Sequence, residues 1–139
     1  MPTDPYTLEH TTPSPEEYVH LRQLAGLTPM SLEAARIGLP NSVAAVTVRI
    51  DGTLAGMGRV IGDGGMFFQV VDIAVHPDHQ RRGLGRKVMT ALMQRLKTIA
   101  PTGAYVSLIA DDGAERLYQE FGFQPTAPRS IGMSMVLRD

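Results

Sequence analysis

The 139-residue chain contains no cysteine, so disulfides, thiolate zinc sites and thiol nucleophiles are excluded together. An excess of either charge is also missing. Thirteen Lys plus Arg against fourteen Asp plus Glu leave a formal net charge of -1, and no global field draws the chain to nucleic acid or to an anionic membrane. Any anion site must be local. No stretch approaches the roughly 18 consecutive apolar residues of a membrane span, because Gly, Arg or Asp interrupts every apolar run, so a membrane partner is not expected. The opening MPTDPYTLEH is polar and acidic where a secretory signal needs a basic start and an apolar run, and a cytoplasmic location is expected. Internal repeats and low-complexity tracts are absent. So are the two nucleotide fingerprints G-x-x-x-x-G-K-[ST] and G-x-G-x-x-G.

What remains is an ordinary globular composition, 43% hydrophobic and 19% charged, which excludes a chain disordered throughout, a collagen-like repeat and a coiled coil. The length suits a single domain over 1–139. A short strand is expected at Tyr6–Glu9, within an N-terminal dozen residues that fray in part. Ser14-Pro15-Glu16-Glu17 then sets an N-cap serine, a first-turn proline and a glutamate at N3, which starts a helix over 15–25. A second helix over 32–38 follows Ser31. Val43–Ile50 and Leu54–Ile61 flank the hairpin dipeptide Asp51-Gly52. Met66–Val75 is apolar on both faces except for Gln69 and Asp72, the pattern of a buried central strand that His76-Pro77 terminates. Leu84, Val88, Leu92, Leu96 and Ile99 make one stripe of a long amphipathic helix, with Arg86, Thr90, Gln94 and Lys97 opposite. Ala104–Ala110 is expected as a strand parallel to 66–75, reached by a right-handed crossover. Ala114, Leu117, Tyr118 and Phe121 mark a helix stopped by Gly122, and Ile131–Leu137 a closing strand, of a kind that exchanges or pairs across a homodimer. The eight methionines are expected to fill the core. The fold class is mixed α/β, with a central mixed sheet.

The segment Val75–Lys87 carries the chemistry. A buried strand runs through a glycine-containing loop into a helix, whose free N–H groups and dipole favour an anion. Two glycines, Gly83 and Gly85, let a phosphate approach the backbone, and Arg81, Arg82, Arg86 and Lys87 gather four cations there. His76 and His79 are an i, i+3 pair across a proline loop without carboxylate support, so no metal site is expected. Asp72 is the conspicuous carboxylate of the central strand. Left unpaired in a core it would be costly, so it either faces a cleft, where it assists a substrate amine as a base through water or as an electrostatic anchor, or it pairs with Arg59 on the preceding strand.

Gln80-Arg81-Arg82-Gly83-Leu84-Gly85 resembles the [QR]-x-x-G-x-[GA] signature of the GNAT superfamily of acyl-CoA N-acyltransferases, here of the small bacterial type. Ala114, Leu117-Tyr118 and Gly122-Phe123 resemble its second motif, and the likeness spans about residues 43 to 137. It implies a GNAT-like fold with a strand–loop–helix acetyl-CoA site. Backbone amides of Arg81–Arg86 would cradle the pyrophosphate of the acetyl-CoA cosubstrate. The pantetheine arm would pair with Ile73, Ala74 and Val75 like an added strand. The Tyr118 hydroxyl would lie near the thioester sulfur. Asp111 stands where the family often has an asparagine that contacts pantetheine. The implied activity is transfer of an acetyl group to a primary amine by direct attack in a ternary complex, without a covalent enzyme intermediate. The alternatives are a catalytically silent acyl-CoA-binding sensor and a nucleic-acid-binding domain. The second is disfavoured, because the cations are confined to one loop without aromatic interleaving.

Overall fold

A computed structural model describes residues 4–138, and from the first strand to the long third helix the elements follow the expected order. They are β1 (Thr7–Glu9), α1 (Pro15–Leu24), α2 (Leu32–Gly38), β2 (Ala44–Ile50), β3 (Thr53–Gly62), β4 (Phe67–Val75), α3 (Leu84–Ile99), β5 (Tyr105–Ser107) and α4 (Glu115–Gln119), with short 3-10 turns at Leu39–Asn41 and Pro77–His79. By internal contacts the chain divides into two compact units, Met1–Leu108 and Ile109–Asp139.

In the first unit the strands form one sheet in the order β1-β2-β3-β4-β5. The first four pair antiparallel and β5 lies parallel to β4. Asp51 and Gly52, at φ 49° and 77°, give the β2–β3 hairpin the doubly left-handed turn whose twist matches that of its strands. The start of α1 is the expected capping box: Ser14 Oγ accepts from the Glu17 N–H at 3.1 Å, and Glu17 Oε1 accepts from the Ser14 N–H at 3.1 Å. The same carboxylate takes two hydrogen bonds from Arg49 on β2, at 2.6 and 2.9 Å. Those bonds pull its pKa down to about 2. The N-terminal end of α1 is thereby tied to the sheet.

Tyr18 and Leu21 of α1 and Ala35 of α2 pack with Leu39, Leu54, Met57 and Ala74 into one apolar cluster. Leu84, Val88, Met89, Ala91, Leu92 and Leu96 form the buried side of α3, whose contacts are chiefly with β2 and β3. Ile99, expected on that stripe, is exposed. Of the methionines, Met57 and Met89 fill the core, whereas Met30, Met66, Met133 and Met135 are exposed.

Three expectations near the C-terminus are corrected. The strand over 104–110 is only Tyr105–Ser107, and α4 is shorter than its apolar stripe. Ile131–Leu137 forms no strand, and its apolar side chains are exposed. Alternation marks the face a strand would bury, but a strand exists only where a neighbour accepts its hydrogen bonds, and none pairs with this segment among the described residues. The second unit, taken by itself, consists of α4 and irregular backbone.

Gly58 on β3 is dictated by packing. A Cβ there would lie 2.6 Å from Ile73 Cδ1, 2.6 Å from Val88 Cγ1 and 2.9 Å from Leu92 Cδ1. Because three well-packed side chains would have to yield together, Gly58→Ala is expected to lower unfolding free energy by about 1–3 kcal/mol. Urea denaturation checks this, and an unchanged midpoint would show that α3 does not pack this tightly.

Candidate active site

Along β4, hydrogen-bonding partners change sharply. The strand pairs with β5 only at Phe67–Gln69, opposite Tyr105–Ser107. Past Gln69 it keeps β3 on one side through Val75, and no strand of the first unit pairs with its other side. Ile73, Ala74 and Val75 lie on this open stretch. At its end Gln80 donates from Nε2 to the Val75 carbonyl at 3.3 Å, so the residue that opens the loop motif also anchors the strand terminus.

Within that stretch β4 carries an extra residue. Arg59 stands opposite Val71 and Met57 opposite Ala74, which leaves Asp72 and Ile73 facing Gly58 alone, the signature of a bulge. Asp72 is left-handed, at φ 62°, a conformation that costs an L-residue about 1–3 kcal/mol unless its surroundings impose it. Strict alternation predicts Asp72 on one face with Phe68, Val70 and Ala74. The bulge corrects this: Val70 pairs with Val60 and lies across the sheet from Arg59, whereas Asp72 turns to the α1 side that it shares with Ala74.

On that side the carboxylate is enclosed. Oδ1 accepts from Arg22 at 2.5 Å and from the Tyr18 hydroxyl at 2.8 Å, and Oδ2 accepts from Arg59 Nε at 2.7 Å. Only 4% of its side chain is exposed, against 8% for Arg22 and 12% for Arg59. The expected pairing with Arg59 is therefore present, together with two partners that sequence reasoning missed. Further acceptors complete the guanidiniums: the Thr28 carbonyl and hydroxyl for Arg22, and Ser42 Oγ and the Gly38 carbonyl for Arg59. Both guanidiniums also lie over the Tyr18 ring, at 5.9 and 5.7 Å from its centroid. Burial first, then the Asp72 charge, pushes the Tyr18 phenol up. Removing the carboxylate would bury two cations without a counter-charge, at about 3–5 kcal/mol. One sequence signal pointed here: Arg22 follows Tyr18 by four residues, so a charged residue shares the apolar face of α1.

Beyond Val75 the chain enters a 3-10 turn in which His76 Nδ1 accepts from the Asp78 N–H. Arg81 and Gly83 are both left-handed, at φ 65° and 76°. Gly83 is the N-cap of α3, where no side chain caps the helix, and the first backbone bond back to it comes from Lys87. The N–H groups of Leu84 and Gly85 thus begin the helix as donors suited to an outside acceptor. A Cβ on Gly83 would meet nothing within 4 Å, so glycine serves both its backbone angle and open space above it. The loop is tied to the N-terminal segment. Tyr6 bonds His79 Nδ1 at 2.9 Å and accepts from Arg82 at 2.9 Å, while Asp4 pairs with Lys87 at 2.5 Å. His79 therefore has a partner beyond solvent, and Asp4–Tyr6 is fastened where fraying was expected.

The second unit holds Asp111, Tyr118 and the Gly122-Phe123 stop. The Ala114 N–H bonds the Asp111 carbonyl at 3.0 Å, and Gly122 is left-handed at φ 94°. Tyr118 packs edge-to-face on Phe123 at 6.5 Å. Its phenol is pushed up, chiefly by burial and secondly by the negative charge of Asp111, so it keeps its proton well above neutral pH. In a tyrosine-ring carbon NMR titration, Tyr118 should ionise above the usual value near 10, and Asp111→Asn should lower that pKa without moving Tyr18. No change in Tyr118 would contradict the assigned cause.

Comparison with known proteins agrees with this geometry. The acetyltransferase (GNAT) family model matches residues 6–123. A crystal structure from meticillin-resistant Staphylococcus aureus, described as a protein of unknown function SA2161 and probable acetyltransferase, is 45% identical, covers 95% of this chain and 99% of its own, and superposes with a TM-score of 0.91. Glucosamine-6-phosphate N-acetyltransferase from Arabidopsis thaliana, 18% identical, covers 97% of this chain and 100% of its own with a TM-score of 0.71, a likeness of fold. An uncharacterized N-acetyltransferase, ycf52, from Pyropia yezoensis is 27% identical over 111 residues, which make up 77% of this chain and 63% of that relative's length. With the family model spanning most of the sequence and both of its motifs, the chain belongs to the GNAT acetyltransferase family.

Proposed function

We propose that the chain is an acetyl-CoA-dependent N-acetyltransferase that transfers the acetyl group to a primary amine by direct attack within a ternary complex. The observation that carries this reading is the continuity of an open β4 edge at Ile73–Val75 with a helix start whose amides are uncapped and ringed by cations. The amides from Arg81 to Arg86 take the pyrophosphate, aided by the dipole of α3. Gln80 holds the turn, and Leu84 roots the helix in the core. The pantetheine arm adds to β4 through main-chain hydrogen bonds, with Asp111 as a further contact.

The amine nitrogen attacks the thioester carbonyl, the C–S bond breaks, and the departing sulfur takes a proton from the Tyr118 hydroxyl. The proton shed by the nitrogen restores the phenol, which balances the transfer. A phenol whose pKa is raised is protonated at neutral pH, as an acid in this step must be. Asp72 stands as an anchor of the strand that binds the donor. Both of its oxygens are engaged with cations, which leaves neither free to take the amine proton.

Isothermal titration with acetyl-CoA and an amine panel read by free-thiol release test the proposal. Wild type should bind and turn over with at least one amine, and binding without turnover on any amine would favour a silent acyl-CoA sensor. Gly83→Val should abolish acetyl-CoA binding in a folded chain, and unchanged affinity would refute the placement of the pyrophosphate. Tyr118→Phe should lower turnover on the order of a hundredfold with little change in affinity. Wild-type turnover in that variant would return Tyr118 to a packing role.

A further inference from the structure

We propose that Tyr18 and Arg22, on α1, are positioning residues for donor binding: by gripping Asp72 they impose the β4 bulge and so fix where the Ile73–Val75 edge points. The inference rests on the acyl-CoA reading above.

A left-handed aspartate inside a strand does not hold itself there. Without inversion, alternation after Val71 would send the Asp72 carboxylate to the face where Gly58, Val88 and Leu92 meet, an apolar surface with no partner for a charge. The inversion brings it instead to three donors on two elements. Arg59 alone cannot define the turn, because it sits on the strand paired with β4 and travels with it. Arg22 and Tyr18 come from a separate helix, which Glu17 and Arg49 fasten to β2. Arg22 also grips the Thr28 carbonyl with two nitrogens, at 2.9 and 2.6 Å, so its guanidinium is fixed from behind. The external reference that sets the angle of residues 73–75 is therefore α1.

Two conservative variants separate positioning from simple stability. Tyr18→Phe removes one oxygen and keeps the ring. Arg22→Lys keeps the charge at Asp72 but loses the planar fork that also reaches Thr28. Both leave Asp72 paired with Arg59 and should fold. In ligand-free protein, amide resonances of Ile73, Ala74 and Val75 should shift, while those of Val46–Val48 stay in place. Acetyl-CoA affinity should fall about tenfold in folded Arg22→Lys and less in Tyr18→Phe, with KM for acetyl-CoA rising more than kcat falls. Unmoved 73–75 amides, or wild-type affinity in a folded variant with a lowered melting temperature, would overturn the proposal and leave the function standing. A wild-type chain that neither binds nor turns over acetyl-CoA would overturn the function, and with it this consequence.

Discussion

The Asp72 carboxylate, buried between the guanidiniums of Arg22 and Arg59 and beneath the Tyr18 hydroxyl, is the constraint on which the functional edge of the sheet depends. Isolated charges are not tolerated in such surroundings, and every buried polar side-chain atom among the described residues has a partner. Meeting that requirement forces one residue of β4 into a left-handed conformation, and the resulting bulge reverses the sidedness of every residue between it and the strand end. Ala74 packs into the α1 cluster as a result, while Ile73 faces Gly58 and α3. A need for charge compensation is in this way translated into the orientation of a main-chain edge.

That edge gains its chemical meaning from the loop and helix start that continue it. The overall charge of -1 gives no attraction for an anionic ligand, yet within seven residues the chain sets Arg81, Arg82, Arg86 and Lys87 around an uncapped helix start. Asp4 and Tyr6 hold Lys87 and Arg82 in place, so the N-terminal segment orders a loop that would otherwise repel itself. The helix behind it is rooted by Leu84, Val88 and Leu92 in the core, which gives the donor amides a rigid base.

Much of this was legible in the sequence, because the responsible forces are local. The Ser14 capping box, the Asp51-Gly52 turn, the α3 stripe from Leu84 to Leu96 and the glycine loop each depend on residues within a few positions of one another, and each appears where spacing places it. The bulge was illegible in detail because its cause is not local: Tyr18 and Arg22 lie 54 and 50 positions from Asp72 in the chain. Arg59, one strand away, could be named as a partner; a helix far upstream could not. The same reasoning explains Ile131–Leu137, whose alternation is genuine but whose pairing depends on a neighbour that a one-dimensional pattern does not encode.

In the proposed function one continuous stretch, from the open β4 edge through the glycine loop to the start of α3, receives the acyl donor. Titration of isotopically labelled protein with acetyl-CoA, followed by backbone amide NMR, tests this most directly. Saturable shifts are expected, largest at Ile73–Val75 and at Gly83–Arg86, with one common affinity. Saturable binding that leaves both segments unmoved would contradict it.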